Sequence, residues 1–345
     1  WSLMHLSLYL PGLLWPHTAA TGQTPKLAAT EALDNWLRFG NITTAPLSRS
    51  QLYAQCLSHP SLLVQCKQEL GLPAHQAAFF CSPVLQRVDL HSMSISDGSN
   101  LGLSKREAVD ICRDFNAFVA DSGYKFLPYR EYLWLVTCPS EPTWFLPPVC
   151  DIEGQLKTVP RPQSDDAKVS AQLQTLQAEL QMLLAQHPVN QQRKTTYQAE
   201  INGVWFWRDL PSETPCSADI PLLTDAPLLQ GSARQQTDAP YDWATAQAWL
   251  AETGSHEQAH LWLNTLEAPS MFADMWGYQD AFAELHTRFL APIDAALQKG
   301  ELKSLTLITD GATGLRGHAH KRSRLAFWKR GGEGFAHYLQ AASAE

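Results

Sequence analysis

Apolar positions along the chain fall into short runs separated by Pro, Gly and polar turns, and two periods alternate. LSLYLPGLLWP (6–16) is a continuous apolar run interrupted by Pro11-Gly12, the pattern of a strand buried on both faces. PKLAATEALDNWLRF (25–39) changes to the helical period, with Pro25 in its first turn and Gly40 just beyond its end, which are start and stop signals of a helix. A second helical stretch follows over about 50–70. VLQRVDLHSMSI then alternates as a strand would, DGSN makes a turn, and LSKREAVDICRDFNAFVADSG reads as an amphipathic helix closed by Gly123. YLWLVTC (132–138) is another strand.

A Pro-rich passage (Pro139, Pro142, Pro147, Pro148, Pro160, Pro162) leads into DDAKVSAQLQTLQAELQMLLAQHP, a long helix entered through acidic residues and closed before Pro188. INGVWFW (201–207), HLWLNTLE (260–267) and SLTLITD (304–310) read as strands, with MWGYQDAFAELHTRFLAPIDAALQ as the long helix between the last two. Strands alternating with helices are the mark of an α/β fold with a mostly parallel sheet. Residues 1–80 and 199–345 are therefore expected to form one discontinuous, sheet-centred domain. LSLYLPG, INGVWFW, HLWLNTLE and SLTLITD should share its sheet, and 81–198 is read as an inserted α+β domain.

Composition narrows the function classes. The 345 residues are 45% hydrophobic and 17% charged with a net charge of -8, ordinary for a globular protein and repulsive to phosphate backbones and anionic lipid heads. Neither nucleic acid nor membrane is expected as a partner. The seven scattered cysteines form no CxxC pair and read as buried thiols of a reducing cytoplasm. The apolar opening lacks the basic flank and small-residue cleavage site of a signal peptide and is read as a core strand.

GxGxxG, GxxxxGK[ST], HExxH and GxSxG are all missing from the sequence, which removes the usual nucleotide-binding, zincin and esterase readings. Histidines cluster in GATGLRGHAHKRSR, where His318 and His320 neighbour Lys321, Arg322 and Arg324 just after the strand ending at Asp310. A solvated basic loop is the bland reading. The alternative is a site, because ligands collect outside the carboxyl ends of parallel strands. VWFW (204–207) offers aromatics to a stacking platform but fits core packing better in an acidic protein. His187 and Asn190 in QHPVNQQR suit capping and turn roles at least as well as a ligand role.

Several of these segments, taken in order, resemble the archaeal-type cofactor-independent phosphoglycerate mutases. They are GQTPKLAATEALDNWLRFG, HPVNQQR followed by AEINGVWFW, DAPLLQGSARQQ, HLWLNTLEAPSMFADMWGYQDAFAELHTRFLAPID and LTLITDGATGLRGHAHKRSR. The bacterial branch known as RpfE-type regulatory proteins is the form most similar. The resemblance implies an alkaline-phosphatase-like fold in which a pair of divalent metals and a serine nucleophile transfer a phosphoryl group. It also implies a damaged site. Pro11-Gly12 stands where the family has a metal-binding Asp-Gly, and Ser270 and Ala273 fall near the positions of a metal-binding Asp and His, with only Asp274 close by. Asp310 and His318 are the surviving metal positions, and in the family they serve different metals. Ser58 and Ser61 lie in the region of the nucleophile without its surrounding pattern.

Catalytic metals need about three protein ligands and an open position, and phosphoryl transfer needs charge neutralisation and an aligned nucleophile. The favoured reading is a cytoplasmic regulatory or ligand-binding protein that has lost metal-dependent catalysis and needs no cofactor, with a phosphorylated metabolite or a protein as partner. The alternative is an active mutase or phosphatase using Mn or Zn through Asp274, His286 or His320. If an anion site survives, Arg316, His318, His320 and Arg322 are the groups suited to it, since guanidinium forks and protonated imidazoles match phosphate or carboxylate.

Overall fold

A computed structural model describes residues 4–15, 24–88, 93–156, 158–321 and 331–342. The chain divides into two compact units, Trp1–Ser58 with Ser212–Glu345, and His59–Pro211. The first unit opens with β1 (Met4–Tyr9), α1 (Glu31–Phe39), β2 (Asn41–Thr43) and α2 (Arg49–Ala54). The second runs through α3 (Leu62–Glu69), β3 (Ala78–Val88), β4 (Met93–Asp97), α4 (Lys105–Phe118), β5 (Lys125–Arg130), β6 (Leu133–Thr137) and β7 (Trp144–Phe145). It continues with α5 (Val149–Ile152), β8 (Gly154–Leu156), β9 (Gln163–Ser164), α6 (Ala167–Gln186), α7 (Pro188–Thr195) and β10 (Gly203–Trp207). The chain returns to the first unit with β11 (Leu222–Thr224), β12 (Gln236–Thr237), α8 (Trp243–Thr253), β13 (Gln258–Trp262), α9 (Glu267–Met271) and α10 (Met275–Leu285). It ends with α11 (Ala291–Lys299), β14 (Leu302–Thr309), β15 (Leu315–His320) and α12 (Phe335–Ala342).

The fold is α/β. In the first unit seven strands are ordered β12-β11-β13-β1-β14-β15-β2. The pairings from β12 to β14 are parallel, and β15 and β2 are added antiparallel. Leu6 and Leu8 of β1, Leu305 and Leu307 of β14 and Ala319 of β15 lie in one buried cluster with Trp36 of α1, Trp243 of α8, Phe282 of α10, Ile293 of α11 and Phe335 of α12. Five helices thus cover one face of the sheet. The long helix expected over 275–298 carries a π turn at His286–Leu290, which ends two residues before Pro292. Proline lacks an N–H and clashes with the carbonyl four residues back, and a widened turn there relieves both constraints.

The second unit is built on a sheet ordered β5-β6-β3-β4-β8, with β10 paired to β3. This corrects the expected position of INGVWFW. β10 runs antiparallel to β3 from Gly203↔Val84 to Trp207↔Phe80, with the Phe80 and Trp207 rings 4.6 Å apart and Trp207 Nε1 donating to Ser82 Oγ at 3.0 Å. A wholly buried apolar run identifies a strand but not the sheet that receives it. β1, β13 and β14 do share the large sheet. The second unit also takes in α3 and β10, which the expected boundaries at 80/81 and 198/199 left in the first.

HPVNQQR is a structural pin of this unit. His187 caps α7 by accepting from Val189 N at 3.2 Å, and its Nε2 lies 3.1 Å from Asp114. Asn190 donates to the carbonyls of Leu184 and Ile201 and accepts from Ile201 N. Arg193, fully buried, pairs with Glu107 at 2.9 Å and donates to the carbonyls of Ala199 and Leu101. VWFW is likewise core, with every residue buried. No helix among the described residues is long and apolar enough to cross a membrane.

Candidate functional site

The carboxyl ends of β1 and β14 meet around one buried carboxylate. β1 gives way to Leu10, Pro11 and Gly12, and Gly12 has φ +75 with so close a neighbour that a Cβ there would lie 2.8 Å from the Leu266 carbonyl oxygen. Only glycine meets both conditions without strain. The Gly12 N–H donates to Asp310 Oδ1 at 2.8 Å. On the other side, Arg49 donates through Nε to Asp310 Oδ2 at 3.0 Å, and its Nη2 is also 3.0 Å from that oxygen. Arg49 Nε lies 3.4 Å from Glu267 Oε1 at the start of α9, and all three side chains are 10–12% exposed.

The local sequence explains why the arginine arrives there. Leu47 and Gly311 exchange backbone hydrogen bonds of 3.0 and 2.9 Å, which lock the chain entering α2 against the chain leaving β14. Ser48 then caps α2 in a capping box with Gln51, and the next residue is Arg49. The hydroxyls of Ser48 and Ser50 lie 2.9 Å apart at this turn. A guanidinium that directs two nitrogens at one carboxylate oxygen is a strong charge-assisted partner, and it supplies the positive charge that Asp310 needs in a low-dielectric site.

The other expected ligands do not join Asp310. His318 lies on β15 opposite Thr306, and Asp310 is four residues beyond Thr306, about 13 Å along the strand. Asp274 caps α10, accepting from Gly277 N at 2.9 Å. His286 sits in the π turn with Nε2 3.5 Å from Glu31. Ser270 is buried, its Cβ close to Gly12. Among the described residues no group of three or more His, Cys, Asp or Glu side chains could hold a metal. The donor set around Asp310 therefore does not fit the paired-metal centre implied by the sequence resemblance. Ser61 caps α3 within the second unit by accepting from Val64 N, while Ser48 and Ser50 flank Arg49 at the carboxyl end of the sheet.

Arg316, His318 and His320 are brought together in a different sense, on one face of β15 at alternate positions. Arg316 donates to Gln55 Oε1 at 2.5 Å. The His318 and His320 rings are 4.6 Å apart and nearly perpendicular, and His318 Nδ1 is 2.8 Å from Thr306 Oγ1. Burial pushes the His318 imidazole below its ordinary range, and the neighbouring His320 and His5 act in the same direction. Arg322 lies outside the described residues. Arg49 and Glu267 carried no signal in the sequence, since the Arg49 partners lie more than two hundred residues away and one Arg between two serines looks like a surface helix start. His5 was equally hidden, a lone imidazole in an apolar strand.

No protein-family model matches the chain, and no curated protein does. Among solved structures, the chain is similar to the cofactor-independent phosphoglycerate mutase from Thermoplasma acidophilum DSM 1728, at 14% identity and a TM-score of 0.46 over 99% of this chain and 95% of that one. It is similar also to the PH0037 protein from Pyrococcus horikoshii, at 14% identity and a TM-score of 0.49 over 99% and 92% of the two chains. At these values neither likeness carries chemistry across to this chain.

Proposed function

We propose that this chain is a phosphoglycerate mutase-like protein of the alkaline-phosphatase-like kind that has lost metal-dependent catalysis and serves as a cytoplasmic regulatory or ligand-binding protein. The observation that carries the reading is the Arg49 guanidinium on the Asp310 carboxylate. A fixed internal cation neutralises the one acidic position that the collinear sequence segments align with a metal ligand, and a second cation beside it would meet direct repulsion. Pro11 stands where a metal-binding family member would place a carboxylate, and the Gly12 N–H beside it donates to Asp310, so the tip of β1 meets Asp310 as a donor.

A phosphoryl-transfer site needs cations free to meet the substrate and a nucleophile aligned with them. Here the Arg49 charge is committed to Asp310 and Glu267, and Ser48 is committed to capping α2. The test is turnover of 3-phosphoglycerate and of a generic phosphomonoester by the folded protein with Mn or Zn supplied. The reading expects no metal-stimulated turnover above a protein-free control. Turnover that rises with metal and falls in Asp310→Asn would establish an active enzyme instead.

A further inference from the structure

We propose that the sheet face of the first unit opposite its five-helix core, at the end away from α2 and its Tyr53–Trp262 stack, holds a binding site for a small tetrahedral dianion of the phosphate class, walled by His5 on β1 and by His318 and His320 on β15, with Ser304 and Thr306 of β14 as its floor. The site is independent of the reading given for Asp310, because Ser304 precedes Asp310 by six residues, about 20 Å along the strand. It lies toward the opposite end of the sheet.

The register sets these residues in rows. His5 pairs with Ser304 and Ser304 with His320, while Ser7 pairs with Thr306 and Thr306 with His318. Extended across the sheet, the rows include Gln258 and His260 on β13 and Asn41 on β2. None of these side chains is aliphatic, although the opposite face of the same strands carries Leu6, Leu305, Leu307 and Ala319 in the core. Mostly parallel sheets normally bury apolar side chains on both faces. The second row ends at Leu222, which pairs with His260, but from β13 to β15 both rows are polar, and their buried members, Ser304 and His260, are costly to bury unless polar partners meet them.

The rings are set for a ligand. Ser304 Oγ engages His5 Nδ1 and Thr306 Oγ1 engages His318 Nδ1 at 2.8 Å, so Nε2 is the nitrogen through which each ring can meet a bound group. A hydroxyl can donate to a neutral Nδ1 or accept from a protonated one, so both protonation states are accommodated and Nε2–H is a donor in each. His5 and His320 stand two strands apart, about 10 Å between their backbones, with the small Ser304 between them. Arg316 is four residues from His320, about 13 Å along β15, and is bonded to Gln55, so it lies outside this trough.

Charge favours an anion as occupant. Burial pushes the His5 imidazole down, Lys303 and His320 push it further, and Glu257 opposes them. For His318 the causes are burial, then His320, then His5. The neighbouring His260 is held down by burial alone, and Lys321 follows directly on β15. Mutual repulsion between these imidazoles is relieved when a dianion sits among them. Binding then takes up protons and strengthens as pH falls.

The test is isothermal titration of the full chain with sulfate, whose charge is constant over the range, and with inorganic phosphate, at about pH 6 and about pH 8 and constant ionic strength. Sulfate affinity should be about tenfold or more tighter at the lower pH, with net proton uptake on binding. The His318→Gln/His320→Gln double variant should lose at least about tenfold of that affinity. In the unmodified protein, proton NMR titration should show the His5, His318 and His320 imidazoles titrating at higher pH in sulfate than in chloride. Sulfate affinity equal at the two pH values, affinity retained in a folded double variant, or histidine titrations unchanged by sulfate would each overturn the proposal.

Discussion

Acid should weaken the first unit through one histidine. His260 on β13 is 7% exposed, with its ring 5.4 Å from that of Tyr9, and burial lowers its pKa to about 4. A histidine whose folded pKa is depressed gives full stability above its unfolded value and loses it as pH falls toward the folded value. The window therefore opens below the ordinary histidine range, about 6.5. For one such group the loss between neutral pH and about pH 4.5 is on the order of 2.5 kcal/mol. Carboxylates titrate in the same range, so the parent must be compared with His260→Asn, which cannot protonate. Denaturant midpoints across the pH series should fall more steeply for the parent, with the gap between the two curves approaching that figure at the acid end. Parallel curves would show that His260 is not held neutral by its burial.

Substitutions at Arg49, Gly12 and Arg193 extend the account. Arg49→Ala should destabilise the first unit by about 3–5 kcal/mol, the usual cost of leaving buried carboxylates without their partner, while Arg49→Lys, a point charge without the fork, should recover only part of the loss in thermal denaturation. Gly12→Ala forces a side chain into a positive φ and against the Leu266 carbonyl, which should cost about 1–3 kcal/mol of unfolding free energy. In the second unit, Arg193→Met breaks the pair with the partly buried Glu107 and should speed hydrogen exchange around α4 and α7, whereas the exposed Arg106→Met should leave it unchanged.

The α/β class and most elements were legible because period and punctuation are local properties. β1, α1, α4, β13 and β14 each appear where an apolar run or an amphipathic stretch lies between Pro, Gly and capping residues. β10 lies in a different sheet from the one expected, because neither strand partner nor register is written in a single segment. The helix expected over about 50–70 broke into α2 and α3 around Ser58-His59-Pro60, where proline cannot continue a helix. Asp310 stands out in the sequence by its place at the end of a strand, whereas Arg49 does not. The pairing depends on the Leu47–Gly311 contact, which joins segments far apart in the chain.

The central claim is that a guanidinium stands where a divalent cation would be needed, and titration of the folded full chain with Mn in a calorimeter tests it most directly. The account predicts no tight binding by the parent protein. It also predicts that Mn raises the melting temperature of Arg49→Ala more than that of the parent, since only the variant leaves the Asp310 and Glu267 carboxylates without their cation. Tight binding of a pair of Mn ions per chain by the parent, abolished in Asp310→Asn, would contradict it.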